Sequence, residues 1–107
     1  MSWAARIGEA QARRLVAEGA QVVIGDVRLE EGKKLATELG AACIFQPLDV
    51  TSEAQWRNAV ALAQRLGDLC GLVNNAGVLA MLSIAETDSA VFERVARINQ
   101  LGTFLGM

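Results

Sequence analysis

Apolar residues along this chain switch between two periods. From Ile7 to Glu18 they recur at helical spacing, with Ile7, Ala10, Leu15 and Val16 available to one face. Gly19 then offers a residue free to take the left-handed conformation that ends a helix. Gln21-Val22-Val23-Ile24-Gly25 is β-branched and apolar, the pattern of a buried strand. A second helix is predicted from Glu30 to Leu39, closed by Gly40. Ala42-Cys43-Ile44-Phe45 opens a second strand that runs past Pro47 to Leu48 and Asp49. Pro47 has no N–H, so the ladder there should be irregular or at an edge. Ser52-Glu53-Ala54-Gln55 has the form of a capping box, in which the Ser52 hydroxyl accepts from the Gln55 N–H and the Gln55 side chain reaches back. That helix should run to Leu66 and stop at Gly67. Leu69-Cys70-Gly71-Leu72-Val73 reads as a third strand. A last helix should start at Asp88 or Ser89 and pass through Asn99 toward the C-terminus.

The predicted order alternates helix and strand, beginning on a helix. Strands separated by helices of ten or more residues imply a parallel sheet with right-handed crossovers. The fold class is therefore α/β, a partial Rossmann-type doubly wound sheet of three strands and four helices. It is expected as one incomplete domain over residues 1–107, since the strand that should precede Ile7 is missing. Either Val22–Gly25 pairs directly with Leu69–Val73, or the sheet stays open with an exposed edge. The helix face of Ile7, Leu15 and Val16 would then lose its partner.

Composition narrows the function classes. An apolar fraction of 52% is too high for disorder. The net charge of −2, with acids and bases interspersed, gives no basic stripe for nucleic acid or a membrane surface. No apolar run reaches the ~20 residues of a membrane span or forms a signal-peptide core. There is no histidine, so a metal site would have to rest on Cys43, Cys70 and carboxylates. Both cysteines sit in apolar runs and read as buried small hydrophobes in a reducing cytoplasm, with no metal expected.

The chemistry concentrates in Leu72-Val73-Asn74-Asn75-Ala76-Gly77. An apolar strand ends in two side chains that both donate and accept, followed by two small residues. This string resembles the N-N-A-G signature of the short-chain dehydrogenase/reductases, which move hydride between a nicotinamide cofactor and an alcohol or ketone. The resemblance implies that Asn75, Ala76 and Gly77 line the cofactor site and that Asn74 has a larger structural share.

Other positions follow in family order. Ala4-Ala5-Arg6-Ile7-Gly8-Glu9 looks like the end of the family's glycine-rich phosphate loop, with Gly8 at the last glycine. Counting back, Arg6 falls at the middle glycine and Ser2 at the first; alternatively one glycine is deleted between Arg6 and Ile7. Read alone, Gly8 is equally a packing glycine. Asp26 ends a strand 18 residues after Gly8, the place of an acid that accepts from adenosine ribose hydroxyls and repels a 2′-phosphate. NAD is therefore expected in preference to NADP, with Arg28 close enough to soften that preference. By resemblance Asp49 lies near the adenine amino group with the backbone of Val50 beside it; otherwise Asp49 is a turn acid ahead of the Ser52 cap. Arg97-Ile98-Asn99-Gln100-Leu101-Gly102-Thr103-Phe104 resembles the family's N-x-x-G-x-F segment, which makes Asn99 a member of the catalytic set, holding a water of the proton relay. Its alternative role is to satisfy a nearby backbone group.

The family also needs a tyrosine as acid/base, a lysine four residues later and a serine. The chain has no tyrosine. Its only lysines, Lys33 and Lys34, lie on the second helix, and Ser2, Ser52, Ser83 and Ser89 are in no matching context. The chain as given is expected to be inactive, a fragment whose intact parent uses NAD(H) and a small alcohol or ketone. The alternative is a catalytically dead nucleotide-binding or interaction module. The resemblance further implies a cytoplasmic homo-oligomer with contacts from the helix around Phe92 to Phe104. It also makes Leu79-Ala80-Met81-Leu82 a loop able to touch a hydrophobic substrate.

Overall fold

The computed structural model describes residues 3–107, with side chains from residue 5 onward. Helix α1 spans Trp3–Ala17, strand β1 Val22–Asp26 and helix α2 Leu29–Leu39. A short 3₁₀ turn leads into strand β2 at Cys43–Pro47, and helix α3 covers Glu53–Leu66. After a long irregular stretch come helix α4 at Ser89–Ala96, a π-helical turn at Arg97–Leu101 and helix α5 at Gly102–Gly106. These last three run on without a break as one continuous helical stretch.

The helix ends are where the chain chemistry puts them. Gly19 and Gly40 take φ of 92° and 80°, which side chains disfavour, and so release the chain after α1 and α2. Ser52 caps α3 through its hydroxyl to the Gln55 N–H at 3.3 Å. The other half of the expected box is diverted, because Gln55 Oε1 accepts from the Asp49 N–H at 2.6 Å. A complete capping box forms instead at Ser83 and Glu86, and Asp88 caps α4 through the Val91 N–H at 2.9 Å.

Strands β1 and β2 pair in parallel, Val22 opposite Cys43 and Asp26 opposite Pro47. Pro47 is the last residue of its strand, where a missing N–H costs least. Helices α2 and α3 each touch both strands. A two-stranded sheet is only about 10 Å wide, one helix diameter, so the two helices need opposite faces. Helix α1 lies beside α2, and Arg13 bridges them, bonding Glu9 at 2.8 Å and Glu38 at 2.7 Å. Helix α3 also packs against α5. The result is a three-layer α/β arrangement around a small parallel sheet.

The third strand does not form. Residues 68–83 hold no regular structure, and Leu69, Leu72 and Val73 are 48%, 42% and 55% exposed. A strand needs a neighbour to accept its N–H groups, and no other strand reaches this stretch among the described residues. Of the two expected outcomes, the open sheet is the one found. Cys70, expected to be buried, is exposed for the same reason, whereas Cys43 is buried.

The core is correspondingly thin. Its buried apolar residues are Ala12, Ala36, Cys43, Leu48 and Ala59. Ile7 and Leu15 on α1 stay exposed, as expected of a helix face without a partner. The accessible surface is 7541 Å², against about 5,800 Å² for a compact monomer of this mass. The radius of gyration is 14.9 Å, against about 13 Å for a compact chain of this length. Much apolar surface is not covered by the chain itself.

Candidate functional site

The expected site residues gather at one end of the sheet, on three kinds of support. Asp26 is the last residue of β1 and Asp49 follows β2 by two residues, both at the carboxyl end of the sheet, where parallel sheets bind ligands. Asn74 to Gly77 lie in the irregular stretch, held by the helices around it. Asn99 sits in the π turn.

Asp26 is half exposed at the end of β1. Its Oδ1 accepts from the Arg28 N–H at 3.0 Å, and the Arg28 Nε lies 3.8 Å away. Asp49 is partly exposed and bonded within its own turn. Its Oδ1 accepts from the Thr51 N–H at 2.9 Å and the Thr51 hydroxyl at 2.7 Å. Those bonds, backbone first, together with the Arg97 charge hold its carboxyl below the usual aspartate range. The Ser52 N–H also bonds the Asp49 carbonyl at 2.9 Å. Asp49 thus closes the turn ahead of the Ser52 cap, a placement compatible with either of its two expected roles. Val50 is fixed on both sides: its carbonyl accepts from Trp56 Nε1 at 2.9 Å, and its side chain meets Gly102 so closely that a Cβ there would lie 2.6 Å from Cγ2.

Gly8 lies inside the helix expected from Ile7, and that helix begins earlier, at Trp3, so Gly8 is an interior residue of α1. Ala4, Ala5 and Arg6 are good helix formers, and no glycine precedes Gly8 to open the backbone. Arg6 therefore occupies a helical turn, and Ser2 lies outside the described residues. Gly8 nonetheless meets the dinucleotide side: a Cβ there would lie 2.8 Å from Asn75 Nδ2 and 3.3 Å from its Cγ. Any larger residue at this position would displace the Asn75 amide.

Asn99 ties the other side. Its Oδ1 accepts from the Val78 N–H and its Nδ2 donates to the Val78 carbonyl, both at 2.8 Å. The side chain imitates a strand neighbour for a segment that has none. The Asn99 carbonyl accepts from the Thr103 hydroxyl at 2.9 Å. Asn74 Nδ2 reaches the Thr103 carbonyl at 3.5 Å, and its Oδ1 lies against Gly106. The segment Asn74 to Val78 is thus anchored at both ends on the C-terminal helical stretch and in its middle on α1. A π turn of this kind is often a functional irregularity, and here it aims Asn99 at Val78.

Tested against a dinucleotide, the described residues fit at two places. The Asp26 carboxylate, exposed and at a strand end, suits a ribose diol. At the other end the small residues Gly8, Ala76 and Gly77 surround the Asn75 amide, which Gly8 approaches closely. Between them, Trp3 to Ile7 continue α1 and form no glycine loop. Among the described residues no group of three or more metal-ligating side chains occurs, and no helix is long and apolar enough to cross a membrane.

Thr51, Trp56 and Thr103 support the site without having been singled out from the sequence. Asp-x-Thr ahead of a capping serine is a turn signal. The other two become visible only through packing.

A family model described as "short chain dehydrogenase" matches residues 4–107. The chain is 44% identical over 102 residues to a 3-alpha-(or 20-beta)-hydroxysteroid dehydrogenase of Mycobacterium tuberculosis, covering 94% of this chain and 39% of that protein. It is 39% identical to the 2,5-dichloro-2,5-cyclohexadiene-1,4-diol dehydrogenase LinX of Sphingobium indicum, covering 97% of this chain and 43% of that one. Among solved structures it is similar to a 3-ketoacyl-(acyl-carrier-protein) reductase from Brucella melitensis complexed with NADH. There the TM-score is 0.83 and the identity 31%, over 92% of this chain and 41% of that one. The chain thus spans about two fifths of the length of these relatives.

Proposed function

The chain belongs to the short-chain dehydrogenase family, and on that premise we propose that it forms the cofactor side of an oxidoreductase. The protein as a whole would transfer hydride between a nicotinamide nucleotide and a secondary alcohol or ketone. Asp26 would accept from the adenosine ribose hydroxyls, which favours NAD over NADP. Asp49 and Val50 would flank the adenine, and Asn75, Ala76 and Gly77 the ribose and nicotinamide. Asn99 would stand near the reaction centre. When bound, the nicotinamide supplies the hydride acceptor or donor. The residues described here bind and orient it.

The single observation that carries the reading is the convergence of Gly8, Asn75, Gly77 and Asn99. The acid/base set is not among these 107 residues, because the chain has no tyrosine. They alone should not turn over. Two relatives are named for alicyclic alcohols, a hydroxysteroid and a cyclohexadienediol. The exposed apolar run Leu79, Met81 and Leu82 supports a substrate of that class. A cytoplasmic homo-oligomer belongs to the same reading. The exposed apolar face also favours a second one, a binding module that relies on another polypeptide to cover it; concentration-dependent association without nucleotide binding would select it.

The test is a titration of the intact protein with NADH and NADPH, beside the Asp26→Ala variant. The reading predicts tighter NADH binding in the wild type and loss of that preference in the variant. Absence of binding by either nucleotide would contradict it.

A further inference from the structure

Arg28 is the cation beside the proposed ribose acid, and its position is held by two carboxylates. It caps α2 in extended conformation, with its N–H on Asp26 Oδ1. Its Nε faces the same oxygen at 3.8 Å, while Nη1 pairs with Glu31 Oε2 at 3.0 Å. The guanidinium therefore spans Asp26 and Glu31 across the mouth of β1. A 2′-phosphate on the adenosine ribose would need those same N–H donors.

We propose that Glu31 is a specificity-determining positioning residue, which holds Arg28 against Asp26 and so withholds it from a 2′-phosphate. The inference rests on the cofactor reading above and extends it. Asp26 excludes the phosphate by direct repulsion. Glu31 acts one step away, by occupying the guanidinium that would otherwise neutralise that phosphate. Its place suits this role: three residues after Arg28 on the first turn of α2, it reaches the guanidinium from the helix side, and its charge is favourable at a helix N-terminus. It has no reason to touch the cofactor itself.

The consequence is a hidden tolerance for NADP. In the intact protein, Glu31→Gln keeps the shape of the side chain and removes the charge that holds Arg28. An exposed pair of this kind is worth at most about 1 kcal/mol, so NADPH should bind about fivefold tighter while NADH stays within about twofold. A double-mutant cycle distinguishes positioning from bare charge. In an Arg28→Gln background, Glu31→Gln should no longer change NADPH affinity, because the residue it controls is gone. An unchanged NADPH-to-NADH affinity ratio in the single variant would overturn the proposal. So would a ratio that shifts equally in the Arg28→Gln background. Both results leave wild-type NADH binding intact and therefore spare the cofactor reading. A wild type that binds neither nucleotide refutes that reading, and the role of Glu31 with it.

Discussion

Replacing Asn99 by alanine should loosen the segment that carries Asn75 and Gly77 without unfolding the helix beneath it. The side chain makes two 2.8 Å bonds to the backbone of Val78, one as acceptor and one as donor. A neutral hydrogen bond contributes about 0.5–1.5 kcal/mol net. Asn99 is exposed, so water replaces part of each bond, and the pair together is worth about 1 kcal/mol. Residues 68–83 have no ladder to hold them, so the loss should appear as local opening rather than global unfolding. The assay is amide hydrogen exchange at Val78. Its protection should fall about fivefold in Asn99→Ala, the factor that 1 kcal/mol gives. Asn99→Asp keeps the acceptor for the Val78 N–H but sets a carboxylate oxygen against the Val78 carbonyl. Its Val78 amide should be better protected than in the alanine variant. Equal Val78 exchange in wild type and Asn99→Ala would refute the reasoning, since these bonds would then contribute nothing to holding the segment.

Further outcomes follow from close approaches and from charge. Gly8→Ala should raise the melting temperature, because an interior helical glycine costs about 1 kcal/mol relative to alanine. It should also weaken NADH binding, because its Cβ, 2.8 Å from Asn75 Nδ2, must push that side chain away; calorimetry and a nucleotide titration read the two effects apart. Gly32→Ala has the opposite balance. Its Cβ would lie well inside van der Waals contact with the Phe45 ring, and overpacking of about 1–3 kcal/mol outweighs the helical gain of about 1 kcal/mol, so the melting temperature should drop. For Asp49, bonds from Thr51 lower the folded pKa below the ordinary 3.8. The folded state then binds fewer protons, so this contribution is complete above that value and is lost as pH falls below it toward the folded pKa. Thr51→Val removes the hydroxyl bond, and the gap in melting temperature between wild type and variant should narrow as pH falls below the ordinary aspartate range; a gap independent of pH would contradict the assignment.

The chain announced most of its regular elements because local chemistry decides them. Glycines after α1, α2 and α3, the Ser52 and Asp88 caps and the β-branched run of β1 all act within a few residues. Leu69 to Val73 shows the limit of that reading. Its composition is that of a buried strand, but strand formation depends on a neighbour distant in sequence, and none among the described residues pairs with it. Cys70 became exposed by the same cause. Placement was legible where single residues fix it: Asp26 does end β1, and the asparagines of the Asn74 to Gly77 string do contact the helices around them. It was less legible where packing decides. The sequence left Gly8 as either the end of a phosphate loop or a packing glycine; the helix-forming residues before it extend α1 back to Trp3, and Gly8 packs against Asn75. For Asn99 the sequence offered a backbone-satisfying role beside the catalytic one, but nothing in its spacing pointed to a π turn or to Val78 as the partner. The Ser83-Ile84-Ala85-Glu86 capping box was readable from its spacing, as Ser52 was.

The central claim is that these residues form the cofactor side of a nicotinamide-dependent enzyme. The most direct measurement is a titration of the isotopically labelled protein with NADH, followed through backbone amide chemical shifts. The account predicts saturable shifts concentrated at Gly8, Asp26, Val50 and Asn75 to Gly77, and small ones at the remote residues Ile84 and Phe92. Saturable shifts that avoid Asp26 and Asn75, or none at millimolar NADH, would contradict it.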